Sequence, residues 1–309
     1  MQKLGSCGFR FLIVAVLAII PLTSLIAKST QQISMRTATV VGSLINATFG
    51  NAIEFMIAIF AIQAGLVEMV KASIIGSIII NILLLIGLSM LFGGFKYKEQ
   101  KFNKDSAGVA STMLLIAVAG LSMPTIYTVL TGESVMVMSR AVSVTLGITY
   151  LLSLVFVLFT HKHLFVAERD AGEHLVWGLR KSLLVLLISL GLAAFESHIL
   201  IDSLHPLIDA SSLSEAFVGM VIIAIITNVP EHLAAIGYGR RNNITLSLEI
   251  GMNSAIQIAL FVVPVLVLIS PLLNSEMSLA FAPFQMVAMI LTVMIINYVS
   301  IDGICNWFE

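Results

Sequence analysis

Two acidic residues, Glu54 and Glu231, stand inside long apolar stretches of this sequence. A carboxylate near the middle of a bilayer costs about 2.5–3.5 kcal/mol on insertion scales, so one that persists there points to function unless a basic side chain neutralises it. No Lys or Arg lies at the centre of an apolar stretch to do so. An Asn sits three positions before each Glu, Asn51 and Asn228, and a Ser sits 23 positions after each, Ser77 and Ser254. Ala47, Asn51, Glu54 and Ala58 fall at i, i+4, i+7 and i+11, one stripe of a helix, and Asn228, Glu231 and Ala235 form a second. Small residues on a stripe let helices approach closely, so the two stripes are expected to meet with amide and carboxylate oxygens converging. The backbone is expected to break at Phe49-Gly50-Asn51 and at Asn228-Val229-Pro230, where Pro230 lacks an N–H and frees an upstream carbonyl. Such carbonyls survive in a membrane only when buried or lining a cavity, where they can act as ligands. Two carboxylates with amide and carbonyl oxygens make a hard site suited to Ca2+, which takes about 6–8 oxygens at roughly 2.3–2.6 Å. No thiolate lies near to favour a softer metal.

Charge suggests what such a site does. Two carboxylates with one Ca2+ are neutral, and so are two protonated carboxylic acids. Two bare carboxylates in a low dielectric repel each other. The loaded states can cross the membrane barrier and the empty one cannot, which is the logic of obligatory exchange of Ca2+ for H+. Around the pair, His232 follows Glu231 and is expected to tune or relay protons, or to make a structural hydrogen bond. Ser77 and Asn81 share a helix face at i, i+4, and Ser254 and Gln257 do so at i, i+3. These four are expected to support the site through water or hydrogen bonds, or to bond helix to helix.

The elements that must hold these residues follow from composition. The chain has 309 residues, 59% of them apolar and 11% charged, whereas soluble domains are about 45–50% apolar and about 25% charged. The bilayer must be part of its solvent. Crossing about 30 Å of hydrocarbon takes about 20 apolar residues. Nine such spans are expected, near 10–28, 36–64, 68–93, 107–130, 139–160, 176–200, 214–238, 246–272 and 279–300. The start, Met1 to Ala27, reads as a first membrane helix, because Ser24-Leu25-Ile26-Ala27 is a poor cleavage site for a signal peptide. On one side of the bilayer the loops hold Lys28, Arg36, Lys96, Lys98, Lys101, Lys104, Lys162, Arg169, Arg180, Lys181, Arg240 and Arg241, twelve in all. The other side holds four, Lys3, Arg10, Lys71 and Arg140. The positive-inside rule puts the first group in the cytoplasm and the N-terminus outside.

The chain also repeats itself. Adding 177 maps Gly42 to Gly219, Ala47 to Ala224, Asn51 to Asn228, Glu54 to Glu231, Ala58 to Ala235 and Ser77 to Ser254. Five spans separate the copies, and an odd number inverts one copy relative to the other. Inverted repeats with a site at their junction are a transporter architecture. The first repeat is expected over 1–165 and the second over 166–309.

Other groups carry less. His161-Lys162-His163 reads as a solvated helix cap, and Glu196 and His198 are expected near Asp202. Cys7 and Cys305 sit near opposite ends and give no disulfide framework. The net charge of −1 says little about partners, but the chain has no basic stripe for nucleic acid and no acidic tail, so no nucleic-acid partner is expected. No cofactor is implied beyond Ca2+ as a transported substrate.

The run Gly42 to Glu54, with Ile75-Gly76-Ser77 through Asn81 and Gly87, resembles the first signature of the Ca2+/H+ exchanger (CAX) family, a branch of the calcium/cation antiporter superfamily. Asn228 to His232 and Ser254-Ala255-Ile256-Gln257-Ile258 resemble its second signature, and Tyr150 to Phe165 resembles the end of its first repeat. The resemblance implies an all-α polytopic membrane protein of inverted five-helix repeats, with Ca2+ bound by Glu54 and Glu231. Glu-His in the second signature is more typical of proton-coupled members than of Na+-coupled ones. The chain departs from the family at Thr227, Val229-Pro230 and Asn253, and it lacks an extra leading helix. Asp302-Gly303 through Glu309 resembles the stretch before the family's last helix, so the second repeat is expected to have four spans against five. The implied activity is Ca2+/H+ exchange, with the lipid bilayer as its setting and a homo-oligomer left open. Short loops without an acidic insertion suggest a prokaryotic plasma membrane. Competing readings are Na+/Ca2+ or other cation exchange, an inactive fragment of an exchanger, and an intramembrane metalloenzyme built on Glu231-His232. No His-Glu-x-x-His or Gly-x-Ser-x-Gly motif supports the last.

Overall fold

The computed structural model describes residues 2–37, 45, 48–161, 176–210 and 213–309. Gly42, Ala47, Lys162, His163 and Arg169 lie outside the described residues, as does much of the first signature. The described chain is almost entirely helical: α1 Gln2–Ser34, α2 Ala52–Gln63, α3 Val67–Gly94, α4 Lys104–Thr131, α5 Met136–Thr160, α6 Leu179–Ala210, α7 Glu215–Thr227, α8 Val229–Arg240, α9 Ile244–Leu273 and α10 Pro283–Val299. Six of these helices are long and apolar enough to cross a membrane, and the pair α7–α8, bent by 57° at Asn228, makes a seventh. The two shorter apolar helices are α2 and α10. Twelve residues of helix reach only about 18 Å, so length alone does not yield the nine spans expected.

Many hydroxyls inside the helices bond back to a carbonyl of the preceding turn, although Ser143 Oγ and Ser197 Oγ are buried without a partner. In α1, Thr23 Oγ1 donates to the Ile19 carbonyl at 2.9 Å and Thr30 Oγ1 to the Ile26 carbonyl at 3.0 Å. α1 lies along α6, and α6 also packs against α2. α4 starts at a capped end, where the Asn103 side chain accepts from the N–H groups of Asp105 and Ser106, both at 3.1 Å. It stops at Gly132, whose φ of 70° a side-chain-bearing residue would resist.

The centre is built from α3, α7, α8 and α9, and their backbones come into contact. A Cβ on Gly76 would strike the Met220 carbonyl oxygen, and one on Gly219 would strike that of Met69. α3 and α7 are therefore sealed backbone to backbone. Both α3 and α9 widen into a π turn, Ile80–Leu85 and Ile258–Val262. Adding 177 to the first range gives 257–262, so the widening recurs at the equivalent place. π turns inside α-helices often mark functional sites.

At one end of the bundle a two-residue antiparallel pair joins β1 Gln100–Lys101 to β2 Ile304–Cys305, with Gln100 opposite Cys305. Gln100 Nε2 also donates to the Gly239 carbonyl at 2.9 Å and to Asn242 Oδ1 at 3.1 Å. The loops after α3 and α8 and the stretch after α10 are thus tied together, and all three were expected on one side. Lys71, counted with the other side, is buried and paired with Glu68 at 2.8 Å.

Candidate functional site

Each glutamate opens a helix at a break. α2 begins at Ala52 after a turn at Gly50–Asn51, so Glu54 is its third residue. α8 begins at Val229 with Pro230 in its first turn, so Glu231 is likewise third. Neither Asn51 nor Asn228 caps its helix with its side chain. Both amides are free to turn across to other helices. The single stripe expected from Ala47 to Ala58 is corrected here: Asn51 lies at the break and not on the helix that carries Glu54. The reason is the turn itself, which resets the helical phase. The breaks were expected; the placement of both carboxylates in first turns, where exposed N–H groups favour negative charge, was not.

The amides make one network. Asn51 Nδ2 donates to Gln257 Oε1 at 2.7 Å, and Ser254 Oγ donates to Asn51 Oδ1 at 3.4 Å. Asn228 Nδ2 donates to Ser77 Oγ at 3.2 Å and to the Ala224 carbonyl at 2.8 Å. Asn81 Nδ2 joins the halves, donating to Asn228 Oδ1 at 2.8 Å and to Ser254 Oγ at 2.9 Å. Under the 177-residue offset, the contact of Asn228 with Ser77 is the counterpart of the contact of Asn51 with Ser254. All six supporting polar residues from α3, α9 and the two breaks are therefore brought together.

The carboxylates stand beside this network. The Glu54 carboxyl meets the hydroxyl of Thr227 and lies within Coulombic reach of Glu231. Thr227 was missed as a site residue by sequence reasoning, since the offset pairs it with Gly50 and it stood out only as a departure from the family signature. Oε2 of Glu54, Oε2 of Glu231 and Oδ1 of Asn81 are buried without a hydrogen-bond partner. Among the described residues, the ion pairs are Lys71–Glu68, Arg140–Glu276 and His198–Asp202, and none involves Glu54 or Glu231. A cavity of about 20 Å³ is lined by Glu54, Ser73, Ser77 and Thr227, among apolar residues. Such a volume holds about one water-sized particle.

His232 is fixed by its own helix start. Its Nδ1 lies 2.5 Å from the Asn228 carbonyl oxygen. A carbonyl only accepts, so the proton is on Nδ1 and the Nε2 lone pair remains, buried and unpartnered. Among the described residues no three His, Cys, Asp or Glu side chains gather to hold a metal. The donor set is two carboxylates with neutral amide and hydroxyl oxygens, which is hard and suits a cation such as Ca2+.

The remaining expected residues lie elsewhere. His161 stacks on Phe156 with ring centroids 4.0 Å apart. His198 Nε2 lies 3.6 Å from Asp202 Oδ2 at an exposed position, without Glu196. A cavity of about 1090 Å³ opens between α4, α5 and α10 and contains none of the site residues.

Comparison with known proteins fits this arrangement. Residues 8–159 and 181–309 match the profile of the sodium/calcium exchanger protein family. A Ca2+/H+ antiporter of Aphanothece halophytica is 36% identical over 96% of this chain and 84% of its own length. A Ca2+/H+ antiporter of Synechocystis sp. is 37% identical over 96% of this chain and 86% of its own. The structure of native YfkE superposes with a TM-score of 0.82 at 32% identity, covering 96% of this chain and 86% of that one.

Proposed function

Because the chain belongs to the sodium/calcium exchanger protein family, we propose that it is a membrane antiporter exchanging Ca2+ for H+ by alternating access, with Glu54 and Glu231 as the carboxylates that hold either substrate. One observation carries the reading: Glu54 and Glu231 lie within Coulombic reach of each other, each has a buried, unpartnered carboxylate oxygen, and among the described residues no Lys or Arg pairs with either. Such a pair needs positive charge from outside the protein. One Ca2+ or two protons supply it equally, whereas the bare pair is too costly to move through a low dielectric. The reading is supported by the relatives of similar length that carry the name Ca2+/H+ antiporter.

The ligands for Ca2+ are the two carboxylates, with Asn51, Asn228, Ser77, Asn81, Ser254 and Gln257 orienting them or contributing oxygens directly or through water. His232 Nε2 offers a proton acceptor next to Glu231. Residues 1–165 and 166–309 act as inverted repeats, a division supported by the matched Asn–Ser contacts and π turns. Relative movement of the repeats opens the site to each side in turn. The host is a prokaryotic plasma membrane.

The test is 45Ca2+ uptake into inverted vesicles or proteoliposomes under an imposed pH gradient. Glu54→Gln and Glu231→Gln are each expected to abolish it. Uptake at the wild-type rate in either variant would remove that residue from the site. Uptake driven by a Na+ gradient but not by a pH gradient would replace proton coupling with Na+ coupling.

A further inference from the structure

A third membrane carboxylate, Glu249, takes no part in the central network. It is half-buried on α9, and Ser106 of α4 donates to its Oε1 at 3.3 Å. Thr245, Glu249 and Asn253 occupy successive i+4 positions, a single ridge of the helix. All three line a cavity of about 20 Å³ between the starts of α4 and α9. The next residue on the ridge is Gln257, which accepts from Asn51 at the centre. From Thr245 to Gln257 the helix rises about 18 Å. The ridge thus leads from the Lys- and Arg-bearing end of the bundle to the paired carboxylates.

The two halves of the molecule differ at this place. Asn253 is the counterpart of Gly76 under the 177-residue offset. Gly76 has no side chain and lets the Met220 backbone close against α3. Asn253 carries an amide and is exposed although it lies well inside an apolar helix. The position that seals one side of the centre presents a polar group on the other. A carboxylate one turn further out is expensive in a membrane unless it faces water or an ion, and one bond from a serine hydroxyl offsets little of that.

We infer that Glu249 and Asn253 line the cytoplasmic entry path of the exchanged ions, with the Glu249 carboxylate as a station between the cytoplasm and the central pair. This rests on the exchange reading above. A cation arriving from the cytoplasm first meets Lys101, Lys104, Arg240 and Arg241, which repel it. A carboxylate inside the mouth reverses that field and concentrates cations on the way in.

The experiment measures 45Ca2+ uptake into inverted vesicles under a pH gradient, as a function of Ca2+ at the cytoplasmic face. Glu249→Gln keeps an acceptor for Ser106, so its thermal midpoint should match wild type. Its KM for Ca2+ should rise about tenfold, because an acidic cleft raises local cation concentration by that order, and Glu249→Asp should recover most of the loss. As a second readout, Asn253→Cys is placed in a chain carrying Cys7→Ser and Cys305→Ser. A membrane-impermeant cationic methanethiosulfonate should block its uptake when added to the cytoplasmic face and not when added to right-side-out vesicles. An unchanged KM in Glu249→Gln, or labelling of Cys at 253 from the opposite face alone, would overturn the path. Wild-type vesicles without pH-driven uptake would instead overturn the exchange reading, and this inference with it.

Discussion

Replacing Asn228 by Ala should weaken the fold more than any other change to the amide network. Asn228 is fully buried and has four polar contacts. Two are local, to the Ala224 carbonyl and the Thr227 hydroxyl. Two bridge to α3, from its Nδ2 to Ser77 Oγ at 3.2 Å and to its Oδ1 from Asn81 Nδ2 at 2.8 Å. Interhelical hydrogen bonds in membrane proteins are worth about 0.6 kcal/mol on average and about 1.7 at most, so losing both costs about 1–3 kcal/mol. The figure is not larger because Asn81 Nδ2 retains Ser254 Oγ at 2.9 Å and is not orphaned. Asn51→Ala loses one short bond to Gln257 and one long contact from Ser254, 2.7 and 3.4 Å, and should cost less. The assay is SDS-induced unfolding of the purified protein followed by circular dichroism. An Asn228→Ala shift no larger than that of Asn51→Ala would refute the view that Asn228 is the hub. A double-mutant cycle with Asn81→Ala should return a coupling of at least about 0.5 kcal/mol, since residues sharing a bond do not add.

Two further outcomes follow from packing and burial. Gly76→Ala puts a methyl group on the Met220 backbone, whose Cα would lie 2.7 Å away and cannot rotate aside; the cost should be about 1–3 kcal/mol, as for other overpacked sites. Gly87→Ala, with nothing within 4 Å of the new methyl, should instead raise the thermal midpoint, since Ala exceeds Gly in helix propensity by up to about 1 kcal/mol. Outside the membrane helices, burial first and then the charges of Glu309 and Asp302 push the Cys305 thiol from 9.0 up to about 12. Folded protein should therefore resist iodoacetamide at pH 8. Its contribution to stability is intact below about pH 9 and is lost as pH rises toward 12, because the unfolded thiol ionises first. Rapid alkylation of native protein at pH 8 would contradict that burial.

The membrane class and most helix positions were legible because apolar runs of the required length leave few alternatives. α3, α4, α5 and α9 lie within a few residues of where hydropathy puts them. Two spans were not legible as drawn. The apolar run over 36–64 reads as continuous, yet the turn at Gly50–Asn51 leaves only Ala52–Gln63 as an uninterrupted described helix. The run over 214–238 bends by 57° at Asn228. Gly50 and Pro230 marked both breaks, but hydropathy cannot convert a break into an angle. The gathering of Asn51, Asn81, Asn228, Ser77, Ser254 and Gln257 was legible because Asn, Glu and Ser recur in one register among residues that otherwise match by apolarity alone. Thr227 was not, because its contact with Glu54 depends on the backbone turning at Asn228. Neither was the use of Asn51 and Asn228 as bridges to other helices, since an Asn before a helix more often caps it.

The break explains why exchange follows from this architecture and not from two acids alone. Each glutamate sits in the first turn of a helix, where unsatisfied N–H groups act as about half a positive charge. Those two partial charges are built into the backbone and are the same whether the site holds Ca2+, protons or nothing. They lower the cost of keeping carboxylates in the membrane but cannot distinguish the loaded states from each other. Ca2+ on two carboxylates and protons on both give the same net charge, so both loaded states meet the same fixed field. The bare pair differs from both by two negative charges, which the helix ends only partly offset. The barrier to switching sides should therefore be high for the empty site and comparable for its two cargoes. A lysine introduced beside the pair, as in Ala58→Lys, would supply one of those charges permanently. It should let the transporter switch without a full load and turn coupled exchange into leak, seen as Ca2+ efflux that no longer needs protons on the opposite side. Exchange that stayed fully coupled with that lysine in contact with Glu54 would refute the charge argument.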